Sequence, residues 1–201
     1  MSTRIFDIIF SLLVLVLGAP LYLLLAFSVK LSSNGPIFFV DSRVGLSGNI
    51  FHCLKFRTMY VDAPEKLYAI LATNPSLQEE WNSHQKLKKD PRITSFGRLL
   101  RKSSLDELPQ FINVLIGDMS VVGPRPVTEK ELIDRFNNKS NKILSVKPGI
   151  TGLWQVSGRS NLSYEQRLAL EESYVDKKSF LLDLKIIAKT LPSIFLSKGA
   201  Y

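Results

Sequence analysis

Residues 5–29 form a long apolar segment that is interrupted near its middle by Gly18 and Pro20. The segment exceeds the ~18 apolar residues that indicate a membrane helix. Proline removes a backbone donor and clashes with the preceding helical turn. We therefore predict two half-helices, residues 5–18 and 21–29, that meet at a bend at Pro20.

Each half-helix is too short to cross a membrane alone, because about 20 residues are needed to span the hydrocarbon core. A cleaved signal peptide is disfavoured, since only Arg4 precedes the apolar run and no small-residue cleavage site follows it. The residues alone leave a kinked spanning helix and a re-entrant helix-break-helix anchor as equal alternatives. Both assign residues 1–33 to a membrane anchor and residues 34–201 to a globular domain at the membrane surface.

The chain has a formal net charge of +8, which indicates an anionic partner. Nucleic acid, anionic lipid and phosphorylated small molecules all match this charge, but a membrane anchor makes nucleic acid an improbable partner and favours membrane lipids. The single cysteine, Cys53, excludes an internal disulfide. Its position in an alternating run predicts a small, half-buried apolar residue within a strand.

The remaining pattern predicts an α+β fold. Residues 37–59 are β-rich with a central turn signal, typical of a hairpin that carries Lys55 on its second strand. Residues 62–94 are polar and divided by prolines into short helices. We expect a compact, mainly helical domain, ending in amphipathic helices that lie at the membrane surface and break at Pro192.

Asp106 and Glu107 are adjacent carboxylates with two structural explanations. Ser104 and Glu107 have the spacing of a helix capping box. Pro109 would then occupy a position whose N–H an intrahelical bond already requires. A helix that begins at Asp106 instead places Pro109 in the first turn and both carboxylates at a helix N-terminus beside Arg101.

Such a pair suits phosphoryl transfer. An aspartate can attack phosphorus as a nucleophile, and adjacent carboxylates bind Mg²⁺ together with substrate phosphates. Arg125 lies between Pro124 and Pro126, which restrict the backbone that presents its guanidinium to phosphate. A solvated loop arginine is the alternative. A glycine-rich turn that ends at Arg159 is also typical of loops that approach phosphate.

Together these motifs resemble the monotopic bacterial phosphoglycosyl transferases, also called bacterial sugar transferases. The resemblance covers nearly the whole chain. It rests on the Ala19-Pro20 step in the apolar segment, KFRTM at 55–59, SLDELPQ at 104–110, GDMSVVGPRP at 117–126 and KPGITGLWQVSGR at 147–159.

The resemblance implies a two-step reaction in which Asp106 attacks the β-phosphate of a UDP-sugar, releases UMP and holds a covalent sugar phosphate. Undecaprenyl phosphate then accepts the sugar phosphate, and Glu107 assists the acceptor step or the metal. It further implies that Mg²⁺ is bound at Asp106. The anion-binding groups that it implies are Lys55, Arg101, Arg125 and Arg159.

The resemblance also implies a re-entrant anchor bent at Pro20, with the catalytic domain on the cytoplasmic face of the bacterial inner membrane, and it is compatible with a homodimer. The insertion at 73–94 resembles that of enzymes that transfer galactose or glucose 1-phosphate at the start of O-antigen, capsule or exopolysaccharide assembly. Transfer of a modified acetamido sugar for glycoprotein glycans is the alternative. Two other classes remain to be separated by assay: a non-enzymatic membrane adaptor, and a hydrolase with water as acceptor.

Overall fold

The computed structural model describes residues 3–84, 87–136, 139–158 and 162–196 of the chain. Helices α1 (Thr3–Leu17) and α2 (Ala19–Ser32) form the predicted pair and are bent by 64° at the break. Pro20 lies in the first turn of α2, where its missing N–H is tolerated. In the described ranges no single helix is long and apolar enough to cross a membrane, whereas this bent pair reaches the required length and hydropathy jointly.

The predicted hairpin is present. Strands β1 (Phe38–Val44) and β2 (Ile50–Phe56) are antiparallel, and Phe39 pairs with Lys55. Cys53 lies in β2, which confirms its interpretation as an apolar strand residue, but it is fully buried and not half-buried. The hairpin therefore directs one face to the core and carries Lys55 towards the centre of the molecule.

Short helices and two small strands complete the domain and confirm an α+β fold. In chain order they are α3 (Ala63–Thr73), α4 (Pro75–His84), α5 (Ser95–Ser103), a 3₁₀ turn (Leu105–Glu107), α6 (Gln110–Ile116), β3 (Ser120–Val122), α7 (Glu129–Arg135), α8 (Ser140–Ile143), β4 (Gly149–Thr151), α9 (Leu153–Val156), α10 (Tyr164–Lys177) and α11 (Phe180–Leu196). Strands β3 and β4 pair in parallel, a contact that the sequence pattern did not predict.

The predicted break at Pro192 is wrong, because α11 continues through this residue to Leu196. A proline within a helix removes only one N–H, and its nominal acceptor is the carbonyl group of Ala188. The loss is confined to the last turns of a 17-residue helix. One missing hydrogen bond near the end does not terminate the helix.

The helix pair shares its core with the rest of the protein. Leu25 and Val29 of α2 are buried with Phe56 of β2 and Leu100 of α5. Most of the outward side chains of the pair are apolar and exposed, with Leu17 at the bend 77% exposed. One side of the pair therefore packs on the domain, and the other presents a large apolar surface, which is unusual for a soluble monomer.

Polar contacts attach both ends of the helix pair to the domain. Arg4 in α1 donates to the carbonyl oxygen of Leu115, at 2.7 Å, near the C-terminus of α6. At the other end, Arg57 Nη2 donates to the carbonyl oxygen of Ser33 at 2.6 Å. The two ends of the pair are thus fixed on the same domain.

A buried carboxylate reinforces the first of these attachments. Asp7 accepts the N–H of Val121 and the hydroxyl of Ser120, both at 2.9 Å. This side chain is an acid within an apolar helix, and its hydrogen bonds satisfy the carboxylate at the surface of β3. The register of α1 against the domain is therefore set by specific hydrogen bonds as well as by packing.

Candidate active site

The adjacent carboxylates lie in the 3₁₀ turn between α5 and α6. Ser104 adopts a left-handed conformation, with φ of 57°, and its side chain caps no helix. The capping-box interpretation is therefore wrong. A helix beginning at Asp106 is also wrong, because α6 begins only at Gln110, after Pro109. The left-handed residue ends α5 and Pro109 delays α6, so Asp106 and Glu107 lie in a tight connection between two helices.

Glu107 forms ion pairs with two cations from distant parts of the chain. Its Oε1 atom lies 2.9 Å from Lys55 Nζ and 3.1 Å from Arg125 Nη2. Burial opposes the ionised form of Glu107, but the charges of Arg125 and Lys55 outweigh burial and hold the pKa of this carboxyl well below its usual range. Glu107 in turn raises the pKa of the Arg125 guanidinium. The ionised forms of Glu107 and Arg125 therefore stabilise each other.

Asp106 has a different environment from its neighbour. Among the described residues, no group forms a hydrogen bond or an ion pair with its carboxylate. Lys55, Arg101 and Arg125 nevertheless lie close enough to favour its ionised form. Burial, followed by the negative charge of Glu107, opposes them and raises the pKa of Asp106 to about 6. The carboxylate of Asp106 is thus less stabilised as an anion than an ordinary aspartate, and no described residue pairs with it.

Arg101 reaches the same site from α5. Its Nε atom donates to Thr58 Oγ1 at 2.9 Å, and Thr58 is buried directly after β2. Burial lowers the pKa of the Arg101 guanidinium, and the charge of Asp106 partly opposes this effect. The structure therefore brings together Lys55, Arg101 and Arg125 around the carboxylate pair. Arg159 lies outside the described residues.

The loop that carries Arg125 is held by both small strands. The N–H of Gly149 donates to the carbonyl oxygen of Pro124 at 2.8 Å, and the N–H of Gly123 donates to that of Thr151 at 2.9 Å. A β-carbon on Gly123 would lie 2.5 Å from the carbonyl oxygen of Lys147, so only glycine allows this approach. The parallel pairing of β3 with β4 thus fixes the loop at the site.

The side chains of the site fit a metal ion held mainly by substrate. The described residues contain no cluster of three or more His, Cys, Asp or Glu side chains that could enclose an ion. Within the described ranges the carboxylate of Asp106 has no partner, whereas Glu107 is paired with two cations. Mg²⁺ commonly binds one or two protein carboxylates and completes its coordination with phosphate oxygens. Asp106 matches that donor set.

Sequence reasoning missed two residues behind the site, Thr58 and Glu171. Glu171 Oε1 accepts the backbone N–H of Arg125 at 3.0 Å. The sequence pattern indicated that Glu171 is buried, because it lies three residues from Leu168 and from Tyr174, which are both buried. Helical spacing placed this acid on the buried face of α10. Thr58 had no comparable signal.

Comparison with known proteins gives the class to which this site belongs. A family model for bacterial sugar transferases matches residues 1–197. The match includes the helix pair, the carboxylate turn and the loop that carries Arg125. The chain belongs to the bacterial sugar transferase family.

Individual relatives support this assignment. The exopolysaccharide production protein ExoY of Sinorhizobium fredii is 46% identical over 200 residues, covering 100% of this chain and 88% of that protein. The undecaprenyl-phosphate galactose phosphotransferase of Salmonella typhimurium is 44% identical over 198 residues, which are 98% of this chain and 41% of that protein. The UDP-glucose:undecaprenyl-phosphate glucose-1-phosphate transferase of Klebsiella pneumoniae is 39% identical over 205 residues, with 98% and 41% covered.

Proposed function

We propose that this protein transfers a hexose 1-phosphate from a UDP-sugar to undecaprenyl phosphate, as an early step of exopolysaccharide or O-antigen assembly. Two kinds of relative support the proposal. One is named for exopolysaccharide production and is similar along nearly its whole length. Others are named as galactose or glucose phosphotransferases that use undecaprenyl phosphate. The cations around the carboxylate pair match the phosphates of both substrates.

The reaction proceeds by two displacements at one phosphorus atom. In the first, a carboxylate oxygen of Asp106 bonds to the β-phosphorus of the UDP-sugar, the bond to the bridging oxygen breaks, and UMP leaves with that oxygen. In the second, an oxygen of undecaprenyl phosphate bonds to the same phosphorus, and the Asp106 carboxylate leaves. The products are UMP and the undecaprenyl diphosphate sugar.

The observation that carries this assignment is the unequal pairing of the two acids. Glu107 is engaged by Lys55 and Arg125, whereas Asp106 has no partner in the described part of the chain. An unpaired carboxylate, less stabilised as an anion, is the better nucleophile. Glu107 holds the cations in place, and Lys55, Arg101 and Arg125 stabilise the phosphate charge of both substrates.

Asp106 together with substrate phosphates would hold Mg²⁺. The ion would neutralise negative charge on the phosphates as the sugar phosphate is transferred. The chain's own contribution is to bind and orient the phosphates through its cations.

The helix pair supplies the membrane location that a polyprenyl acceptor requires. Arg4 and Ser33 lie near opposite ends of the pair and contact the same domain. A spanning helix would place these ends on opposite sides of the bilayer, so their common attachment supports a re-entrant anchor. The exposed apolar side chains near the bend, including Leu17 and Leu23, would enter the hydrocarbon. The site then faces the cytoplasm, where UDP-sugars are available.

The decisive experiment measures UMP release by the purified protein in lipid nanodiscs containing undecaprenyl phosphate, Mg²⁺ and a panel of UDP-sugars. We expect turnover with UDP-galactose or UDP-glucose. Asp106→Asn should lose at least about 1,000-fold of the rate, because the nucleophile is removed. Asp134→Asn, on the exposed surface of α7, is the matched control and should retain the wild-type rate.

Intact-protein mass spectrometry then tests the covalent step. Wild-type protein given UDP-sugar without acceptor should gain one hexose phosphate, and Asp106→Asn should gain none. UMP release without such an adduct would refute the aspartyl intermediate. Free sugar phosphate in the absence of undecaprenyl phosphate would indicate a hydrolase, and turnover confined to acetamido sugars would refute hexose as the substrate.

A further inference from the structure

Glu171 is a buried acid that the reaction described above does not use. It lies in the middle of α10, a 14-residue helix that begins with a capping box formed by Ser163 and Gln166. Its side chain is almost fully buried, with 1% of the residue exposed. Leu168 and Tyr174, one turn before and after it, are also buried.

The carboxylate of Glu171 contacts the loop that carries Arg125. Glu171 Oε1 accepts the backbone N–H of Arg125 at 3.0 Å. The side chain of the same arginine donates from Nη2 to Glu107 Oε1 at 3.1 Å. Glu171 thus binds the backbone of Arg125, and Glu107 binds its side chain. Through Arg125, α10 is connected to the turn that carries Asp106 and Glu107.

The flanking prolines make this hydrogen bond important for the orientation of the loop. Pro124 and Pro126 have no backbone N–H, so Arg125 provides the single main-chain donor of the segment 124–126. Glu171 accepts that donor. A side chain without an acceptor at position 171 would leave this partly buried N–H of Arg125 without its partner, at a cost of about 1–3 kcal/mol.

Packing alone does not require an acid here. Its second oxygen, Oε2, is buried and has no hydrogen-bond partner in the described structure. Burial raises the pKa of Glu171 to about 7, against the opposing effects of the Arg125 N–H and the Arg167 charge. A methionine would fill the same space without these costs. The acid is therefore explained by the hydrogen bond that it makes to Arg125.

We propose that Glu171 is a positioning residue for the transfer reaction: by fixing the backbone of Arg125 it aims the guanidinium at Glu107 and at the incoming phosphate. This inference rests on the proposed function for its catalytic consequence. The positioning itself does not depend on which sugar is transferred.

The first test compares Glu171→Met and Glu171→Gln with wild type in the UMP-release assay. Met lacks the acceptor, and we expect kcat/KM for the UDP-sugar to fall about 10- to 100-fold, since small misplacements of binding groups have effects of this size. Gln retains an acceptor oxygen and should recover most of the loss. The matched control is Glu165→Met on the exposed first turn of α10, which should leave kcat/KM within 2-fold of wild type.

Additivity separates positioning from general support of the fold. If Glu171 acts through Arg125, adding Glu171→Met to Arg125→Ala should lower kcat/KM by less than 3-fold beyond Arg125→Ala alone. Losses that multiply in the double variant would overturn the proposal. So would Glu171→Gln being as impaired as Glu171→Met.

A readout independent of turnover uses thermal unfolding. The changes in Tm caused by Arg125→Ala and Glu107→Gln are measured singly and together, and their departure from additivity reports the contact between the two side chains. The same set of variants is then measured in the Glu171→Met background. We expect the departure from additivity to fall by more than half in the Glu171→Met background, and an unchanged value would refute the proposal. If wild type releases no UMP, the proposed function fails, while this cycle still decides the role of Glu171. Should Glu171→Met not fold, Glu171→Leu provides the same background.

Discussion

Lys55 Nζ lies 2.9 Å from Glu107 Oε1, the same oxygen that accepts Arg125 Nη2. One acid therefore holds a cation from the hairpin and another from the loop after β3. The Lys55 and Glu107 side chains are less than one-fifth exposed, so their charges interact more strongly than on an open surface. Neither cation forms an ion pair with the neighbouring carboxylate of Asp106, which has no partner in the described part of the chain.

Glu107→Gln should lower turnover by about 100-fold. Without the negative charge, the nearest carboxylate for Lys55 and Arg125 is Asp106, and pairing with them would make that group a weaker nucleophile. The free energy of unfolding should fall by about 3–5 kcal/mol, because the amide leaves two partly buried cations without the charge that balanced them. UMP release and thermal unfolding measure both effects. Glu129→Gln at the exposed start of α7 is the control, and equal turnover in the two variants would contradict this role.

Gly97→Ala should damage the site through Thr58. A β-carbon at Gly97 would lie 2.1 Å from the carbonyl oxygen of Thr58, and the hydroxyl of Thr58 orients Arg101. Moving that backbone should cost about 1–3 kcal/mol, despite the higher helix propensity of alanine. Thermal unfolding measures the cost, and KM for the UDP-sugar should rise. Arg98→Ala, at the next position and exposed, should change neither quantity, and a Gly97→Ala protein as stable as this control would disprove the predicted clash.

Glu171→Gln should change how stability depends on pH. Burial raises the pKa of Glu171 from its ordinary value of 4.5 to about 7. Between these values the folded state binds the proton more tightly than the unfolded state, so wild type loses stability as pH rises through this window. Glutamine does not titrate and avoids that loss. The free energy of unfolding of the variant minus that of wild type should therefore increase from pH 5 to pH 8, by up to about 3 kcal/mol, since one pKa unit corresponds to about 1.4 kcal/mol.

Denaturant unfolding across this pH range measures the difference. Glu165→Gln is exposed and should show a difference from wild type that does not depend on pH. A flat profile for Glu171→Gln as well would show that the folded protein does not hold the proton on this carboxyl.

Single cysteines should reveal the topology of the helix pair. An impermeant maleimide should label Thr3→Cys and Lys30→Cys in inverted membrane vesicles and neither in intact spheroplasts, because one domain holds both ends. Leu17→Cys at the bend should stay unlabelled in both. Native Cys53 adds little background, since it is buried and burial raises its thiol pKa to about 11. Labelling of Thr3→Cys and Lys30→Cys from opposite sides would establish a spanning helix.

Local patterns predicted much of the fold. The break in the apolar segment just before Pro20, the hairpin, the helical insertion and the place of Cys53 in a strand all follow from short-range signals: a missing N–H, alternation and proline spacing. Local patterns failed where two signals competed. The spacing of Ser104 and Glu107 did not produce a capping box, because Pro109 follows too closely. The single proline at 192 did not end the long helix that contains it.

By itself, the sequence determined which residue types are available: a bent apolar segment, two adjacent acids and several cations in motifs typical of one family. The tertiary structure decided what each of them does. Lys55 and Glu107 are 52 residues apart, and Arg125 and Glu171 are 46 apart. No periodicity or propensity encodes contacts at such separations, because they depend on how the hairpin, the small parallel sheet and α10 pack together. That packing makes Glu107 the partner of two cations and leaves Asp106 without a partner among the residues that the structure describes.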